Sequence, residues 1–378
     1  MQPVITQQQL DRALALRDLS DPASGPHAMQ LVADAIGDAL ERTWGAPVLV
    51  HRASPLVTIH TNYEVLGYPA DAPAREARYT RYVDDRRLLR THMTAMVPGA
   101  LRRLVRPGDA DDVVVACPGL VYRRDVVDRL HVGEPHQLDL WRVRRSTPLT
   151  TGDLDEMTDL VVSAVMPGAS HRTLPAVHPY TTEGREVEVE TGAGWVELLE
   201  CGLAGAHVLE AGGLDPEEWS GLALGIGLDR AVMLRKGVSD IRLLRADDPR
   251  VALQMLDLEP YRAVSAMPPT RRDLSIAVAA DLTAEELGDR IRERVEPGVL
   301  EAVEEMSVVA ETPADELPPQ AIARIGLRRG QKNVLVRLVL RHPTWTLTAE
   351  EANRTRDDVY AAIHEGSVYE WADRKAAP

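Results

Sequence analysis

The most chemically loaded stretch of the chain runs from Cys117 to Leu140 and reads CPGLVYRRDVVDRLHVGEPHQLDL. Arg123 and Arg124 stand beside Asp125; His131 follows, then His136, Gln137 and Asp139. Guanidinium groups grip phosphate or carboxylate oxygens through parallel N–H bonds, and an acid such as Asp139 can pair with an ammonium group. Side chains that grip anions need a rigid platform. The apolar run Val113-Val114-Val115-Ala116 predicts a buried strand ahead of the arginines. The alternation through His136–Leu140 predicts a second strand returning beside it. Taken alone, these residues fit a hairpin with a salt-bridged turn equally well.

Three other groups carry chemical potential. Gly221, Gly225 and Gly227 precede Arg230 in GLALGIGLDRAVMLRKG, which reads as strand, turn and helix. Their spacing matches neither the dinucleotide fingerprint nor a P-loop. They predict instead a ligand lying against the backbone. The predicted strands REVEVE and GWVELL carry Glu188 and Glu197. Arg324, Arg328, Arg329, Lys332, Arg337 and Arg341 fall with no acid between them, as in a solvated strand face or a phosphate-binding patch.

The elements that must position these groups come from the rest of the chain. Its 378 residues suffice for a large core and two domains. Residues 3–45 read as helical, broken by Asp21-Pro22-Ala23-Ser24-Gly25-Pro26. Residues 47–60 alternate like strands interrupted by Pro55, and a proline-rich loop then leads to a helix. Residues 153–166 predict another helix. This order predicts an α+β fold over residues 1–258, a mostly antiparallel sheet flanked by helices, with 1–45 as a helical extension. A boundary falls near Asp257–Ala263. Residues 262–378 follow a β-α-β-β-α order, ending in a helix opened by Thr348 and Glu351 in a capping box, which predicts a ferredoxin-like α/β sandwich.

Composition narrows the function. A net charge of −15 argues against non-specific nucleic-acid binding by the whole surface but leaves a local patch open. The two cysteines, Cys117 and Cys201, exclude a disulfide scaffold or a cysteine-rich zinc site. No apolar run approaches the roughly 18 residues of a membrane helix. MQPVITQQQLDRALALRDL has neither the basic start nor the apolar core of a signal peptide, so a cytoplasmic location is expected.

Four stretches in this order, PAREARYTRYVDDRRLLRTH, PGLVYRRDVVDRLHVGEPHQLD, GWVELLECG and SGLALGIGLDRAVMLRKGVSDIRLL, resemble the catalytic subunit of phenylalanyl-tRNA synthetases, class II aminoacyl-tRNA ligases. SAMPPTRRDLSIAV and RLVLRHPTWTLTAEE resemble the ferredoxin-fold anticodon-binding domain of that family. Both halves in one chain resemble the single-chain organellar type, over residues 45–375. The resemblance implies a ligase that joins a carboxylate to ATP as an acyl-adenylate, with ATP and Mg²⁺ bound. Arg123 would hold the α-phosphate and Arg230 the γ-phosphate, as the catalytic cations. Asp125 and His131 would complete the ATP site, and Glu188 and Glu197 would hold Mg²⁺. His92, Thr94, Gln137 and Asp139 would contact the amino acid, with Leu222 and Leu224 walling its side chain. Arg324, Arg328, Arg329 and Lys332 would bind tRNA.

The chain also departs from the family pattern. Val97 replaces a glutamine, Leu222-Ala223-Leu224 replace Phe-Ala-Phe, Pro135 replaces a phenylalanine, and Asp139 and Asp229 shorten glutamates. These changes predict a pocket for a phenylalanine-like or other apolar side chain with altered choice. The favoured acceptor is tRNA. The alternative is a paralogue that passes the acyl group to a small molecule. A non-catalytic RNA-binding or regulatory paralogue is opposed by retention of Arg123 and Arg230. The N-terminal part is too short for the family's coiled-coil arm, so no second kind of subunit is implied; class II catalytic domains usually pair, whereas the organellar type is a single chain, which leaves a homodimer open. Phenylalanine is absent from the chain, and lysine and asparagine are scarce. A genome that avoids AT-rich codons would push in all three directions. Translation under scarcity of charged phenylalanine tRNA is a second reading of the missing phenylalanine.

Overall fold

The computed structural model describes residues 4–105, 110–264 and 268–370. The first residues of SAMPPTRRDLSIAV and the positions beyond 370 lie outside the described residues. Contacts divide the chain into two units: 1–123, 134–238 and 253–261 form one, and 124–133, 239–252 and 262–378 form the other. The main bodies of the two units change over at residues 261–262, and two short earlier segments group with the second. Hydrogen bonds within that unit are the reason. Arg292 donates to the carbonyls of Asp125 (2.7 Å) and Val126 (2.5 Å), and the Met306 amide donates to Val127 (2.8 Å). Arg242 donates to the carbonyls of Glu301 (2.7 Å) and Arg341 (3.1 Å).

The strands of the first unit are β1 (Val48–Val50), β2 (Leu56–Thr58), β3 (Arg87–Leu89), β4 (Asp112–Leu120), β5 (His136–Arg145), β6 (His171–Pro175), β7 (Thr181–Thr191), β8 (Gly194–Ala204) and β9 (Trp219–Gly227). β2 and β3 pair by themselves. The others make one seven-stranded sheet in the order β1-β4-β5-β9-β8-β7-β6. Only β1–β4 is parallel. The helices are α1 (Gln7–Leu14), α2 (Ala28–Trp44), α3 (Val97–Leu104), α4 (Thr151–Val165), α5 (Ala206–Ala211) and α6 (Leu228–Lys236). Capping boxes start α1 at Thr6 and α4 at Thr150, each satisfying amide groups that the first turn leaves unpaired.

Strand alternation sorts the sheet into two faces. One buries Leu138, Leu140, Leu222, Leu224, Leu199, Cys201, Val187 and Val189. It packs against α4 and α6; the Cys201 Sγ lies 3.6 Å from the Thr158 hydroxyl of α4. The other face carries Val113, Val115, Cys117, Trp141, Val143 and Ala223, which pack with Met93, Met96, Val97 and Leu101. Lys236 is fully buried at the end of α6. Its Nζ donates to the Asp257 carbonyl (2.9 Å), the Asp257 carboxylate (2.8 Å) and the Glu259 carbonyl (2.6 Å), which uses all three donors and ties segment 253–261 to this helix.

In the second unit β10 (Thr270–Ala279), β11 (Val303–Pro313) and β12 (Gln331–Leu340) form an antiparallel sheet in the order β10-β12-β11. Leu274, Ile276, Val336 and Leu338 bury one face together with Leu287 and Ile291 of helix Ala284–Arg294 and Val359 and Ile363 of helix Ala349–Ile363. The expected element order is present, with a short helix, Pro319–Ile325, between β11 and β12. The capping box of Thr348 and Glu351 forms. Among the described residues no helix is long and apolar enough to cross a membrane.

Gly119 of β4 shows how tightly the first unit is packed. A Cβ there would lie 2.5 Å from the Arg90 Nη2. Arg90 is buried and cannot swing away freely, because it donates to the carbonyls of Leu120 (2.7 Å) and Ala53 (3.0 Å). Gly119→Ala is therefore expected to lower stability by about 1–3 kcal/mol, the usual cost of overpacking. The check is a lower urea midpoint at unchanged slope.

Candidate active site

A row of residues crosses the sheet and defines the site. Register places Cys117 of β4 opposite Asp139 of β5, Asp139 opposite Gly225 of β9, Gly225 opposite Glu200 of β8, and Glu200 opposite Glu186 of β7. Directly opposed residues share a face. Gly225 thus leaves an opening between two carboxylates, and a Cβ there would meet the Asp139 Oδ1 at 3.4 Å. Asp139 is only 4% exposed. Burial pushes its carboxyl up to about 7, although Thr94 and Trp141 beside it pull the other way.

Loops close over this row. Arg123, just beyond β4, donates from Nε to the Thr91 carbonyl (2.7 Å). Asn62 clasps Thr91, donating to its hydroxyl (2.9 Å) and accepting from its amide (3.2 Å). His92 follows. Burial and the charge of Arg123 drive its ring down to about 3, so it is neutral, and neither ring nitrogen has a hydrogen-bond partner. Gln137 accepts the Met93 amide proton (3.2 Å), fixing the start of the turn that carries Thr94. A π-helical turn, His60–Glu64, brings in Tyr63 and then Tyr68; such turns concentrate at functional sites. The Tyr68 ring stacks on His92 at 5.5 Å and meets Tyr63 edge-on at 5.4 Å.

Segment 176–184 supplies the remaining wall. Tyr180 lies 6.4 Å from Tyr68 and stacks on His178 at 5.5 Å. The Gly205 amide donates to the Tyr180 carbonyl (2.9 Å). Gly67, at φ +81°, leaves room for the Pro179 carbonyl, which a Cβ would approach to 2.9 Å. The Nε2 of His178 faces the Glu200 carboxylate at 3.4 Å and holds it below the usual carboxylate range. Burial raises the Tyr68 and Tyr180 phenols, with Asp139 and Glu200 adding to the rise.

The profile of the tRNA synthetases class II core domain (F) matches residues 24–255. This chain belongs to that family. The phenylalanine–tRNA ligase alpha subunit of Nostoc punctiforme is 33% identical over 219 residues, which is 58% of this chain and 64% of that one. Its counterpart in Prochlorococcus marinus is 33% identical over 238 residues, 62% and 68% of the two chains. That of Heliobacterium modesticaldum is 33% identical over 247 residues, 62% and 70%. The chain thus spans 64% of the first relative's length and 70% of the last. The pyrrolysyl-tRNA synthetase of Desulfitobacterium hafniense aligns with a TM-score of 0.45 at 19% identity, over 63% of this chain and 77% of that one.

Within this class II core, the residues singled out from sequence divide into three groups. Arg123, His92, Thr94, Gln137 and Asp139 gather at the row just described. Arg230, in the first turn of α6, donates to the Glu197 carboxylate and carbonyl, both at 3.2 Å. Glu197 stands opposite Glu188, which pairs with Arg172 at 2.6 Å. Glu186 joins these acids. Burial, Glu197, Glu188 and Glu200 raise its carboxyl, the mark of surplus negative charge. Asp125 and His131 belong to the second unit. There the Asp125 carboxylate accepts the Val126 amide (2.8 Å), and His131 Nδ1 lies 2.8 Å from Asp128. Arg124 lies 3.4 Å from Asp289, also in that unit.

Leu222 and Leu224 require correction. Register sets them opposite Arg142 and Leu140, on the helix-covered face, so they do not wall the site. Ala223 and Gly225 face it instead. Val97 is fully buried in the core at the start of α3. The basic run is also less available than its sequence implies. Arg324 pairs with Glu370 (3.6 Å), Lys332 with Glu311 (2.8 Å), Arg337 with Asp273 (2.8 Å) and Arg341 with Glu304 (2.6 Å). Arg328 and Arg329 are exposed and form no ion pair among the described residues.

Tyr68, His178, Tyr180 and Glu200 escaped the sequence reading. Glu200 hid behind parity: Glu197 and Glu200 are three apart and should point to opposite faces. A bulge at Leu198, between the pairs Val187–Leu199 and Glu188–Glu197, returns both to one face.

Asp139 gives the site a pH signature. The unfolded carboxyl ionises near pH 4, while the folded one keeps its proton to about pH 7. The folded state binds more protons across this window, so stability falls as pH rises from about 4 to about 7. Asp139→Asn should flatten that slope in a series of denaturation curves. Parallel slopes for the two proteins would show that Asp139 ionises freely.

Proposed function

We propose that this chain activates an amino acid with ATP, releasing pyrophosphate, and passes the acyl group from the resulting adenylate to tRNA. The observation that carries this reading is Arg123. Its Nε is held by the Thr91 carbonyl, and its remaining guanidinium nitrogens have no protein partner among the described residues, beside an acid row with a glycine gap. A substrate carboxylate attacking the α-phosphorus brings two anions together, and a fixed cation lowers that barrier. Arg123 is assigned to the α-phosphate and Arg230 to the γ-phosphate. Asp139 takes the substrate ammonium, whose positive charge favours the ionised carboxylate, so that the carboxyl proton passes to water and an ion pair forms. Gln137, its oxygen already fixed by Met93, keeps its amide N–H groups for the ligand.

Glu188 and Glu197 stand opposite each other on β7 and β8 and are the carboxylates that would hold a divalent cation beside phosphate oxygens. Bound Mg²⁺ supplies charge neutralisation at the phosphates. Arg172 pairs with Glu188 and Arg230 with Glu197.

Arg123→Ala and Arg230→Ala are each expected to lower ATP–pyrophosphate exchange by about 10²–10³-fold, the scale of losing one charge-stabilising donor. Circular dichroism should remain unchanged. Wild-type exchange in either variant would remove the phosphate assignment. For the acceptor, Arg328→Glu with Arg329→Glu should weaken binding of total tRNA at least tenfold and flatten its salt dependence. Exchange that proceeds normally in a protein that binds no tRNA would favour a small-molecule acceptor.

A further inference from the structure

Resting on the amino-acid-activation reading, we infer that the acyl substrate carries a hydrogen-bond donor on its side chain, recognised by Glu200 and His178, and is not a bare hydrocarbon such as phenylalanine. Two carboxylates flank the Gly225 gap in one register row. Strand spacing sets their Cα atoms about 10 Å apart, the reach of an amino acid with its side chain. A single α-ammonium needs one acid, and Asp139 is the more deeply buried of the two. Glu200 is then surplus for a hydrocarbon substrate. Such a side chain would strip water from a carboxylate and return no hydrogen bond.

His178 strengthens the case by fixing Glu200. It is 9% exposed, and its Nε2 stands 3.4 Å from the Glu200 carboxylate. Its Nδ1 lies 3.2 Å from the Thr181 hydroxyl, and Gly184 leaves it room, since a Cβ there would stand 3.1 Å from the same nitrogen. The ring is thus fixed with its Nε2 edge directed at Glu200, so that the two act on a substrate group as one polar unit. Tyr68 and Tyr180 supply flat, electron-rich walls suited to a planar or cationic group. The aliphatic walls that would suit a hydrocarbon, Leu222 and Leu224, are on the other face of the sheet. A pocket organised around a substrate hydrogen bond rejects the analogue lacking it far more strongly than a greasy pocket can reject a size change.

The test is ATP–pyrophosphate exchange with the twenty standard amino acids plus 3-hydroxyphenylalanine and 4-aminophenylalanine, using the full chain. We expect the best substrate to bear a side-chain donor and to exceed its hydrocarbon counterpart at least 100-fold in kcat/KM. Glu200→Leu should shrink that ratio at least tenfold, with Glu200→Gln retaining part of it. His178→Phe gives a second variant should Glu200→Leu fail to fold, and it should shrink the ratio in the same direction. Exchange led by phenylalanine or leucine would overturn the inference and leave the activation reading standing. An equal loss for all substrates in Glu200→Leu would also overturn it, by assigning Glu200 to ATP. No exchange with any amino acid would overturn the activation reading itself, and this inference with it.

Discussion

The site depends on the absence of a side chain at Gly225. Three strands, β5, β9 and β8, run through the middle of the sheet with fixed register, so whatever stands opposite Asp139 and Glu200 is decided by the hydrogen-bond ladder. Any larger residue at the central position would fill the space between the two carboxylates. Because strand period is two, a slip of one residue would exchange both acids for leucines and bury charge against the helices. The hydrophobic face therefore enforces the polar one: Leu140, Leu224, Leu199 and Cys201 must face α4 and α6, and that requirement holds Asp139 and Glu200 on the opposite side.

Above this row the protein builds outward through neutral and charged groups of graded burial. Asp139 sits deepest and keeps its proton, His92 is neutral because burial and Arg123 both disfavour a second cation, and Glu200 stays ionised against His178. Arg123 is shared electrostatically by all of them. Such a set is poorly satisfied by the protein alone, as the two bare ring nitrogens of His92 show. Buried polar groups without partners are costly, and their concentration in one place marks where a ligand completes the hydrogen bonding.

The second unit presents a different balance. Its basic residues are numerous but mostly spent on neighbouring acids, in keeping with a chain whose net charge is −15. The Arg328–Arg329 turn, between the left-handed glycines Gly326 and Gly330, is what remains for an external anion within the run.

The sequence by itself determined the elements and their order: the paired helices of residues 3–45, the strands on either side of Arg123, the α4 helix, and the capped final helix. It did so because apolar periodicity and capping residues are local properties. It also singled out Arg123, Arg230, His92, Gln137 and Asp139, which lie in recognisable stretches. Tertiary structure decided the rest. Which of Leu222, Ala223, Leu224 and Gly225 face the site follows from pairing with β5, and no local pattern in an apolar strand reveals that. The bulge at Leu198 turned Glu200 inward against its parity. Tyr68, His178 and Tyr180 come from loops, where no period exists to read, and the packing of Gly67, Gly184 and Gly205 fixes them. Whether a cation in the basic run is available depended on which acids the β-sheet set beside it, a distance in space that spacing along the chain does not encode.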